Sequence, residues 1–325
     1  MFVLNCYISI KSAKTQQTVS YDYVSDVNII TSLKSFTDTC KLIVPRKLKY
    51  KGKDITNYIR RNDAIEVQLG YDDRLNTLFK GYIKTVSTGT PVVIECENEA
   101  WKLKQTPGTP KLYPSLKLSD FIAEYMSNYE CVTADVNLGE VRIKNETTVA
   151  KVFAYFQKNY PLRFFFKDDI FYAGLPSALI VNEQKTVNFE TGYNYISDTL
   201  KYTCADDVNL QIISKAILKD NTNLEWKEPI KVDGAEVRTF YLPGAKTIDD
   251  LKVHSKEMLL KYKVDKMEGD LLAFGEPLIT KGDIVHLFDD DSIERNDKKF
   301  IAESVNYRFN KDGFRQSVKL GDQVA

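Results

Sequence analysis

The strongest constraint on the fold is a strand pattern that occurs near the end of the chain and again near its beginning. Residues 281–321 read as three strands joined by two loops, because apolar and polar residues alternate there with a period of two. Residues 62–101 carry a similar pattern. In each copy an aspartate, Asp63 or Asp283, is followed at plus two and plus four by apolar residues. The chain is therefore predicted to contain two related β-meanders.

The spacing within the two copies matches more closely than their residues do. Val86 lies 23 residues after Asp63, and Val305 lies 22 residues after Asp283. Each copy has an acidic loop after its first strand. All β-meanders share this alternation, and that general explanation stays open. The matched spacing favours two related small β-barrels, one near each end of the chain.

The last two strands of the second copy are predicted to form a hairpin. Asn310 to Gly313 lies between two alternating runs, and glycine readily adopts the positive φ that such turns require. Glu303 and Gln316 are exceptions to the pattern, because each interrupts an otherwise apolar strand face.

Composition excludes several classes of function. The 325 residues include 45 Lys and Arg and 45 Asp and Glu, so the net charge is zero and offers no long-range field to nucleic acid or to an acidic membrane. No run approaches the roughly 20 apolar residues of a transmembrane helix, and the N-terminus lacks a signal-peptide pattern. We expect no sequence-specific nucleic-acid binding, no membrane insertion, and synthesis in the cytoplasm.

The predicted fold class is α+β, mainly β, with two related small β-barrels and an inserted α/β module. Three prolines and a glycine in residues 105–115 indicate a domain boundary. The predicted domains are residues 1–110 for the first barrel, 111–190 for the α/β module and 191–325 for the second barrel, with a helical insertion near 245–265.

Three helices are predicted where the apolar period changes to 3.6. They cover residues 118–129, 149–156 and 248–263. A hairpin is predicted after the second helix, with strands at 162–166 and 170–173. The candidate N-terminal caps are Ser119 or Asp120, Thr147 or Thr148, and Thr247 with Asp250 in capping-box spacing.

The sequence offers no catalytic, cofactor or metal site. His254 borders a helix stripe and His286 lies within a strand, so both are predicted to be structural. No HExxH, CxxC, GxSxG, P-loop or GxGxxG pattern occurs, and the five scattered cysteines are expected to be free buried thiols. Pairs of aspartates are common, but nearly all fall at predicted turns or helix starts, where Asp bonds to its own backbone.

The order of four stretches along the chain resembles one known family. The stretches are 52–54 with 63–71; 78–83 with 92–97 and Trp101; 148–153 with 166 and 170–172; and the closing meander 281–321. Together they resemble the baseplate hub proteins of contractile phage tails, the late control D family. Hubs of contractile injection systems and the N-terminal part of type VI secretion spikes are similar. The order and spacing carry this resemblance, since none of the stretches is a sharp motif.

The resemblance implies a structural protein of a virion or phage-like baseplate, encoded by a phage or prophage or serving an injection device. Such hubs are homotrimers in which each subunit supplies two tube-type barrels to a ring. The ring then offers six similar positions to a tail tube and threefold symmetry to a tail spike. The implied partners are further copies of the chain, the tail tube protein and the tail spike protein. No enzymatic activity and no cofactor are implied.

A basic loop is the candidate for contacting one of these partners. Pro45–Asp54 contains four lysines and one arginine, which is either a solvated loop or a contact with an acidic surface. Lys47, Lys49 and Lys51 are the positions at which we would test it.

Two functions of other classes stay open. One is a tail-associated cell-wall or carbohydrate hydrolase that uses a pair of the acidic residues, since two carboxylates about 5 to 9.5 Å apart are what such chemistry needs. The other is a solitary ligand-binding β-protein. Activity lost on an Asp→Asn change would identify the first, and genes for a tube, sheath and spike beside this one would argue against the second.

Overall fold

The structure is a computed structural model that describes residues 3–46, 49–50, 52–54, 57–134, 136–144, 147–160, 162–176, 179, 181, 184–217, 222–242, 247–263 and 266–324. The chain divides into two compact units. One consists of Met1–Asp198 with Asp270–Ala325, and the other of Thr199–Gly269. The division into three domains at residues 110 and 190 stays a prediction. Strands and helices are labelled below in chain order.

The first repeat is a sheet with one buried face. Its strands are β1 (Leu4–Lys11), β2 (Thr18–Tyr21), β3 (Asp26–Ser32), β4 (Thr39–Val44), β7 (Ala64–Tyr71), β8 (Arg74–Val86) and β9 (Val92–Glu97), while β5 (Lys49–Tyr50) and β6 (Lys53–Asp54) form a separate small hairpin. Ile65, Val67 and Leu69 of β7 are buried, as the alternation predicts.

A small α/β module follows the first repeat. It contains α1 (Ala100–Gln105), β10 (Lys111–Lys117), α2 (Leu118–Tyr125), β11 (Glu130–Thr133), β12 (Asn137–Ile143), α3 (Val149–Asn159), β13 (Arg163–Lys167) and β14 (Ile170–Gly174). Its core is aromatic, with Phe121, Phe153 and Phe156 fully buried. Phe36, from the loop between β3 and β4, packs 5.6 Å from Phe153 between ring centroids. The first repeat and the module therefore share a core.

The described strands of the second repeat are β15 (Thr186–Glu190), β16 (Tyr195–Asp198), β22 (Asp270–Phe274), β23 (Ile284–Phe288), β24 (Lys298–Asn310) and β25 (Gly313–Val324). Val285 and Leu287 of β23 are buried, in agreement with the predicted pattern. The predicted turn from Asn310 to Gly313 is present, and Gly313 has a φ of +120°.

Among the described residues, the two repeats belong to one sheet of 13 strands. Its order is β16-β22-β25-β24-β3-β4-β9-β8-β7-β1-β2, with β23 and β15 continuing from β24. The repeats are joined where β3 pairs with β24, from Ser32 opposite Ser304 to Asp26 opposite Asn310. The mainly β, α+β class is confirmed. The pairings of the described strands form an open sheet rather than two separately closed barrels, because β24 is long enough to pair with both β23 and β3.

The second unit is a three-stranded sheet packed on one helix. It contains β17 (Lys201–Thr203), a 3₁₀ turn at Ala205–Asp207, β18 (Leu210–Ile217), β19 (Asn223–Glu228), β20 (Glu236–Tyr241), α4 (Ile248–Tyr262) and β21 (Lys266–Glu268). The strand order is β19-β18-β20, and β17 pairs with β21. Leu251 of α4 packs with Ala216 of β18 in its core. The helix lies at the position predicted for a helical insertion.

The predicted helix caps were right twice and wrong once. Thr148 accepts a hydrogen bond from Lys151 N–H, and Thr247 forms the expected capping box with Asp250. Neither Ser119 nor Asp120 caps α2, which follows β10 directly and begins at Leu118. The Leu118 N–H instead donates to the Val136 carbonyl at 2.8 Å, so a neighbouring segment replaces a side-chain cap.

Candidate functional site

Asp63 fixes the start of the first meander. Its buried carboxylate accepts hydrogen bonds from the main-chain N–H groups of Ala13, at 2.9 Å, and Arg60, at 2.7 Å. Its carbonyl accepts from the Ile83 N–H at 2.9 Å, and the Asn62 N–H donates to the Ile83 carbonyl at 2.8 Å. One residue therefore ties the first strand to the chain before it and to the second strand.

Asp283 makes the same set of contacts in the second meander. Its carboxylate accepts from the main-chain N–H groups of Thr280, at 2.8 Å, and Lys185, at 3.4 Å. Its carbonyl accepts from the Ala302 N–H at 2.8 Å, and the Gly282 N–H donates to the Ala302 carbonyl at 2.8 Å. The repeat predicted from two aspartates is thus a repeat of hydrogen bonds.

A β-bulge follows these contacts at the corresponding place in each repeat. The register between β8 and β9 shifts between Ile83 and Thr85. The register between β24 and β25 shifts between Ala302 and Ser304. Bulges bend a strand and increase its twist. Both second strands, β8 and β24, therefore change direction just beyond the residue that is hydrogen-bonded to the aspartate.

Two buried ion pairs lie where the repeats and the α/β module meet. Lys167, at the end of β13, donates to Asp283 at 3.0 Å. Lys281, just before β23, donates to both carboxylate oxygens of Asp38 at 2.7 and 2.6 Å. All four side chains are less than a tenth exposed. We call these four residues the polar junction, and they connect three parts of the chain that are distant in sequence.

Burial dominates the electrostatics of one of these pairs. It raises the pKa of Asp38 and lowers the pKa of Lys281, while the attraction between the two charges opposes both shifts. Asp38 also accepts from the Ser32 N–H and from the Asn98 side-chain amide, each at 3.1 Å. A buried charge with this many partners is suited to holding a structure together rather than to exchanging protons with a substrate.

A cavity of about 210 Å³ opens beside the polar junction. Three lysines line it, and each is paired with a carboxylate: Lys167 with Asp283, Lys281 with Asp38, and Lys80 with Asp169. Among the described residues, no group of three or more His, Cys, Asp or Glu side chains could hold a metal ion.

The acidic pairs occupy turns and helix starts, as predicted. Asp72 and Asp73 turn the chain from β7 to β8, and Asp168 and Asp169 turn it from β13 to β14. All four have positive φ, between 49° and 65°, a conformation that Asp tolerates in tight turns. Asp249 and Asp250 lie in the first turn of α4.

Both histidines are packed against neighbouring groups, as predicted. His286 Nε2 lies 2.7 Å from Asp297 Oδ1. In the second unit, Ser255 donates to Ser214 Oγ at 2.7 Å, and Ser214 Oγ lies 2.9 Å from His254 Nδ1. Burial lowers the pKa of His254. Ser214 is fully buried, so its hydroxyl is not exposed to a substrate as a nucleophile would have to be.

The predicted contact lysines are only partly accounted for. Lys47 and Lys51 lie outside the described residues, and Lys49 is described only as part of β5. Near them in sequence, Arg46, Arg60 and Arg61 line an open groove of about 390 Å³. We call this the arginine groove. No sequence motif marks these arginines, although Arg60-Arg61 follows the basic loop within a few residues.

The pairing within the polar junction was also missed, because no sequence pattern connects Lys167 to Asp283 or Lys281 to Asp38. Polar residues that interrupt apolar strand faces mark other buried contacts. Gln316 is fully buried and donates to the carbonyls of Phe274, at 2.8 Å, and Pro277, at 2.6 Å. Glu303 forms ion pairs with Lys34 and Lys319. Such exceptions indicate buried hydrogen-bond networks, but they do not identify the partners.

Comparison with solved structures finds the same fold in proteins of very low sequence identity. The 43 kDa tail protein of prophage MuSo2 from Shewanella oneidensis matches with a TM-score of 0.67 and 11% identity, over 98% of each chain. A tail protein from Neisseria meningitidis matches with a TM-score of 0.65 and 13% identity, over 98% of this chain and 96% of that one.

A component of the type VI secretion system of E. coli also matches, with a TM-score of 0.56 and 10% identity, over 98% of this chain and 79% of that one. Protein-family models and curated protein sequences give no match. No helix among the described residues is long and apolar enough to cross a membrane. The chain has the fold of phage and prophage tail proteins, which a type VI secretion component shares.

Proposed function

We propose that the chain is the structural hub of a phage-like baseplate, and that three copies close into a ring. The observation that carries this is the pair of matching aspartate-anchored repeats in one chain, joined through β3 and β24. Three such chains present six similar repeats with threefold symmetry. This combination suits a protein that joins a sixfold tube to a threefold spike.

The proposed partners are further copies of the chain, a tail tube protein and a tail spike protein. The fold of tail proteins and of a type VI secretion component supports a place in such a particle. The paired charges of the polar junction and the turn positions of the acidic residues support a structural role without catalysis. The proposed location is the baseplate of a virion or phage-like particle.

Light scattering coupled to size-exclusion chromatography tests the proposed ring. The chain is 37.2 kDa, so three copies give 111.6 kDa. An obligate trimer should bury on the order of 2,000 Å² or more at each interface and should keep this mass on dilution. A 37.2 kDa species at every concentration, unchanged when the candidate spike protein is added, would contradict the proposal.

The basic loop provides a second test. Changing Lys47, Lys49 and Lys51 together to Glu reverses three charges of the loop. If the loop contacts an acidic partner, this variant should assemble more weakly with the tube or spike protein than the wild type. Replacing the same lysines by Gln is the matched control for loss of charge alone. Unchanged assembly of the Glu variant would leave the loop as solvated surface.

A further inference from the structure

The arginine groove is formed where three segments of the first repeat come together. Arg46 follows β4, Arg60 and Arg61 precede β7, and Ser87 with Thr88 follows β8. β9 pairs with β4 on one side and with β8 on the other, so the ends of β4 and β8 both lie beside the start of β9. The groove is therefore built on the ends of paired strands.

The side chains that line the groove carry positive charge alone. Besides its three arginines, the lining offers two hydroxyl groups, from Ser87 and Thr88, and three apolar side chains. No carboxylate of the described residues belongs to it. The whole chain has a net charge of zero, so this excess of three positive charges is a local feature. It predicts a negatively charged ligand.

Arg61 is positioned by an aromatic ring instead of a carboxylate. Its guanidinium carbon lies 5.0 Å from the centroid of the Trp101 ring. Trp101 is 7% exposed, and its Nε1–H donates to Asn62 Oδ1 at 2.9 Å, so the ring itself is fixed. Stacking restrains a guanidinium group but uses none of its N–H donors. Since Arg61 has no hydrogen-bond or ion-pair partner among the described residues, these donors are available to a ligand.

Arg46 contributes a second guanidinium group that no carboxylate of the described chain neutralises. Its Nη1 donates to Thr90 Oγ1 at 3.4 Å, which is a long and weak hydrogen bond. By contrast, the guanidinium groups of Arg238 and Arg295 each pair with a carboxylate, at 2.8 and 3.1 Å. Two guanidinium groups with unused donors therefore line one groove.

The donors of the groove suit a phosphate group. A guanidinium group binds carboxylate and phosphate alike through two parallel N–H···O bonds. A carboxylate has its two oxygens in one plane, whereas a phosphate group presents oxygens in several directions. The donors here come from three segments and include a hydroxyl group, because Ser87 Oγ accepts from the Val93 N–H at 2.8 Å and keeps its own hydrogen to donate.

We propose that the arginine groove is a binding site for a phosphate-bearing ligand. Arg46 and Arg61 bind the phosphate oxygens, Ser87 donates a further hydrogen bond, and the apolar side chains contact the organic part of a phosphate ester. Inorganic phosphates and phosphate esters share these contacts. The site does not depend on the proposed ring, because all the residues that form it belong to one chain.

Tryptophan fluorescence tests the site, because Arg61 stacks on Trp101. The chain has two tryptophans, so Trp226→Phe leaves Trp101 as the one indole. Titration of this protein with sodium tripolyphosphate should change the Trp101 emission saturably, whereas sodium chloride of the same ionic strength should not. Isothermal titration calorimetry measures the dissociation constant without relying on the indole. The absence of saturable binding by both methods would overturn the inference.

Substitution of the two arginines locates the site. Arg46→Gln and Arg61→Gln should each raise the dissociation constant for tripolyphosphate about tenfold or more, since each removes a charged donor. Arg74→Gln is the matched control, because Arg74 is an exposed arginine outside the groove. Equal affinities of the three variants would contradict the site. Arg46 does not stack on Trp101, so its variant decides the question even if Arg61→Gln disturbs the fold.

Three further titrations identify the ligand class. Tighter binding of glycerol phosphate than of inorganic phosphate would identify an ester as the ligand, and equal binding would identify free phosphate. A polyglutamate peptide should bind more weakly than tripolyphosphate at equal ionic strength. The reverse order, with peptide binding lost in Arg46→Gln, would overturn the phosphate assignment and make the groove a docking surface for an acidic protein segment. Loss of all binding at an ionic strength of about 0.15 M would show screened attraction alone and would also contradict the site.

Discussion

Each repeat has an aspartate that fixes the start of its meander, Asp63 or Asp283, but the groups around these two aspartates differ. Among the described residues, the Asp63 carboxylate receives hydrogen bonds from main-chain N–H groups alone. The Asp283 carboxylate receives the equivalent bonds and also pairs with the buried ammonium group of Lys167. The main-chain contacts define the meander, whereas the added ion pair ties the second meander to the α/β module.

The strands before the two anchors also differ. β1 is antiparallel to β7, whereas β15 is parallel to β23. In the first repeat β1 lies between β2 and β7. Among the described strands, the second repeat has none in the place of β1, so β15, which runs in the direction of β2, pairs with β23 directly. In the first repeat the Ala13 N–H, which follows β1, donates to Asp63. In the second repeat the Lys185 N–H, which precedes β15, donates to Asp283 in the same way.

A third difference lies at one hairpin. Six residues, 33–38, connect β3 to β4, but the whole unit Thr199–Gly269 stands between the corresponding β16 and β22. A hairpin loop is where a sheet accepts an insertion at the least cost to its pairing. The short loop of the first repeat instead supplies Phe36 to the aromatic core and Asp38 to the polar junction.

The largest expected effect comes from removing the two anchors separately. Asp283→Ala leaves the Lys167 ammonium buried without its partner and should cost about 3–5 kcal/mol of unfolding free energy. Asp63→Ala leaves main-chain donors unsatisfied and should cost about 1–3 kcal/mol. Urea unfolding measures both.

Lys167→Met provides the control for this difference. Added to Asp283→Ala, it should recover part of the lost free energy, because the unpaired buried charge is gone. Equal costs for the two alanine variants, with no recovery, would show that the ion pair does not distinguish the repeats.

A glycine near each bulge should distinguish the repeats next. A Cβ on Gly81 would lie 2.2 Å from the Glu97 carbonyl oxygen, while a Cβ on Gly321 would lie 3.1 Å from Glu303 Cβ. Gly81→Ala should therefore destabilise the chain by about 1–3 kcal/mol and Gly321→Ala by less, because the first requires the backbone to move. Thermal unfolding of both variants measures this difference. A larger loss for Gly321→Ala than for Gly81→Ala would mean that the backbone of β8 and β9 can move apart near the bulge of the first repeat.

Acid should affect a buried ion-pair contact of the first repeat, between Glu97 and the lysines Lys84 and Lys104. Burial raises the pKa of Glu97, but its bonds with Lys104 and Lys84 outweigh burial and hold the pKa below its ordinary value of 4.5. The stabilisation is therefore present above pH 4.5 and lost as the pH falls below it. Glu97→Gln should lower the free energy of unfolding, measured by urea unfolding, by about 1 kcal/mol at neutral pH and by little at about pH 3. Equal losses at both pH values would contradict this assignment.

The smallest expected effect concerns the unit that only the second repeat carries. Burial holds the pKa of His254 below its ordinary value of 6.5. The unfolded chain therefore binds the proton more readily than the folded one, and the free energy of unfolding decreases as the pH falls below 6.5. Amide exchange in α4 and β18 should become faster between neutral pH and about pH 5.5, after correction for intrinsic rates. His254→Gln should remove this dependence, and a slope that persists in the variant would assign it to another group.

Local structure could be predicted from this sequence because its causes are local. Alternation located the meander strands, and Thr247 with Asp250 marked the start of α4. The prediction for α2 was wrong because the Leu118 N–H bonds to Val136, a residue that no capping rule includes.

Long-range pairing could not be predicted in the same way. Thr31 and Val305 are 274 residues apart, and nothing in either strand specifies the other as its neighbour. Lys281 likewise gives no sign that it pairs with Asp38. A buried charge can be suspected from its surroundings, but its partner is a property of the fold.

Electron microscopy of the purified protein tests the central claim most directly. If three chains supply two matching repeats each, averaged images should show a ring with threefold symmetry and six similar lobes around its rim. A ring with another number of lobes, or three isolated lobes without a closed rim, would contradict the claim that the two repeats occupy equivalent positions.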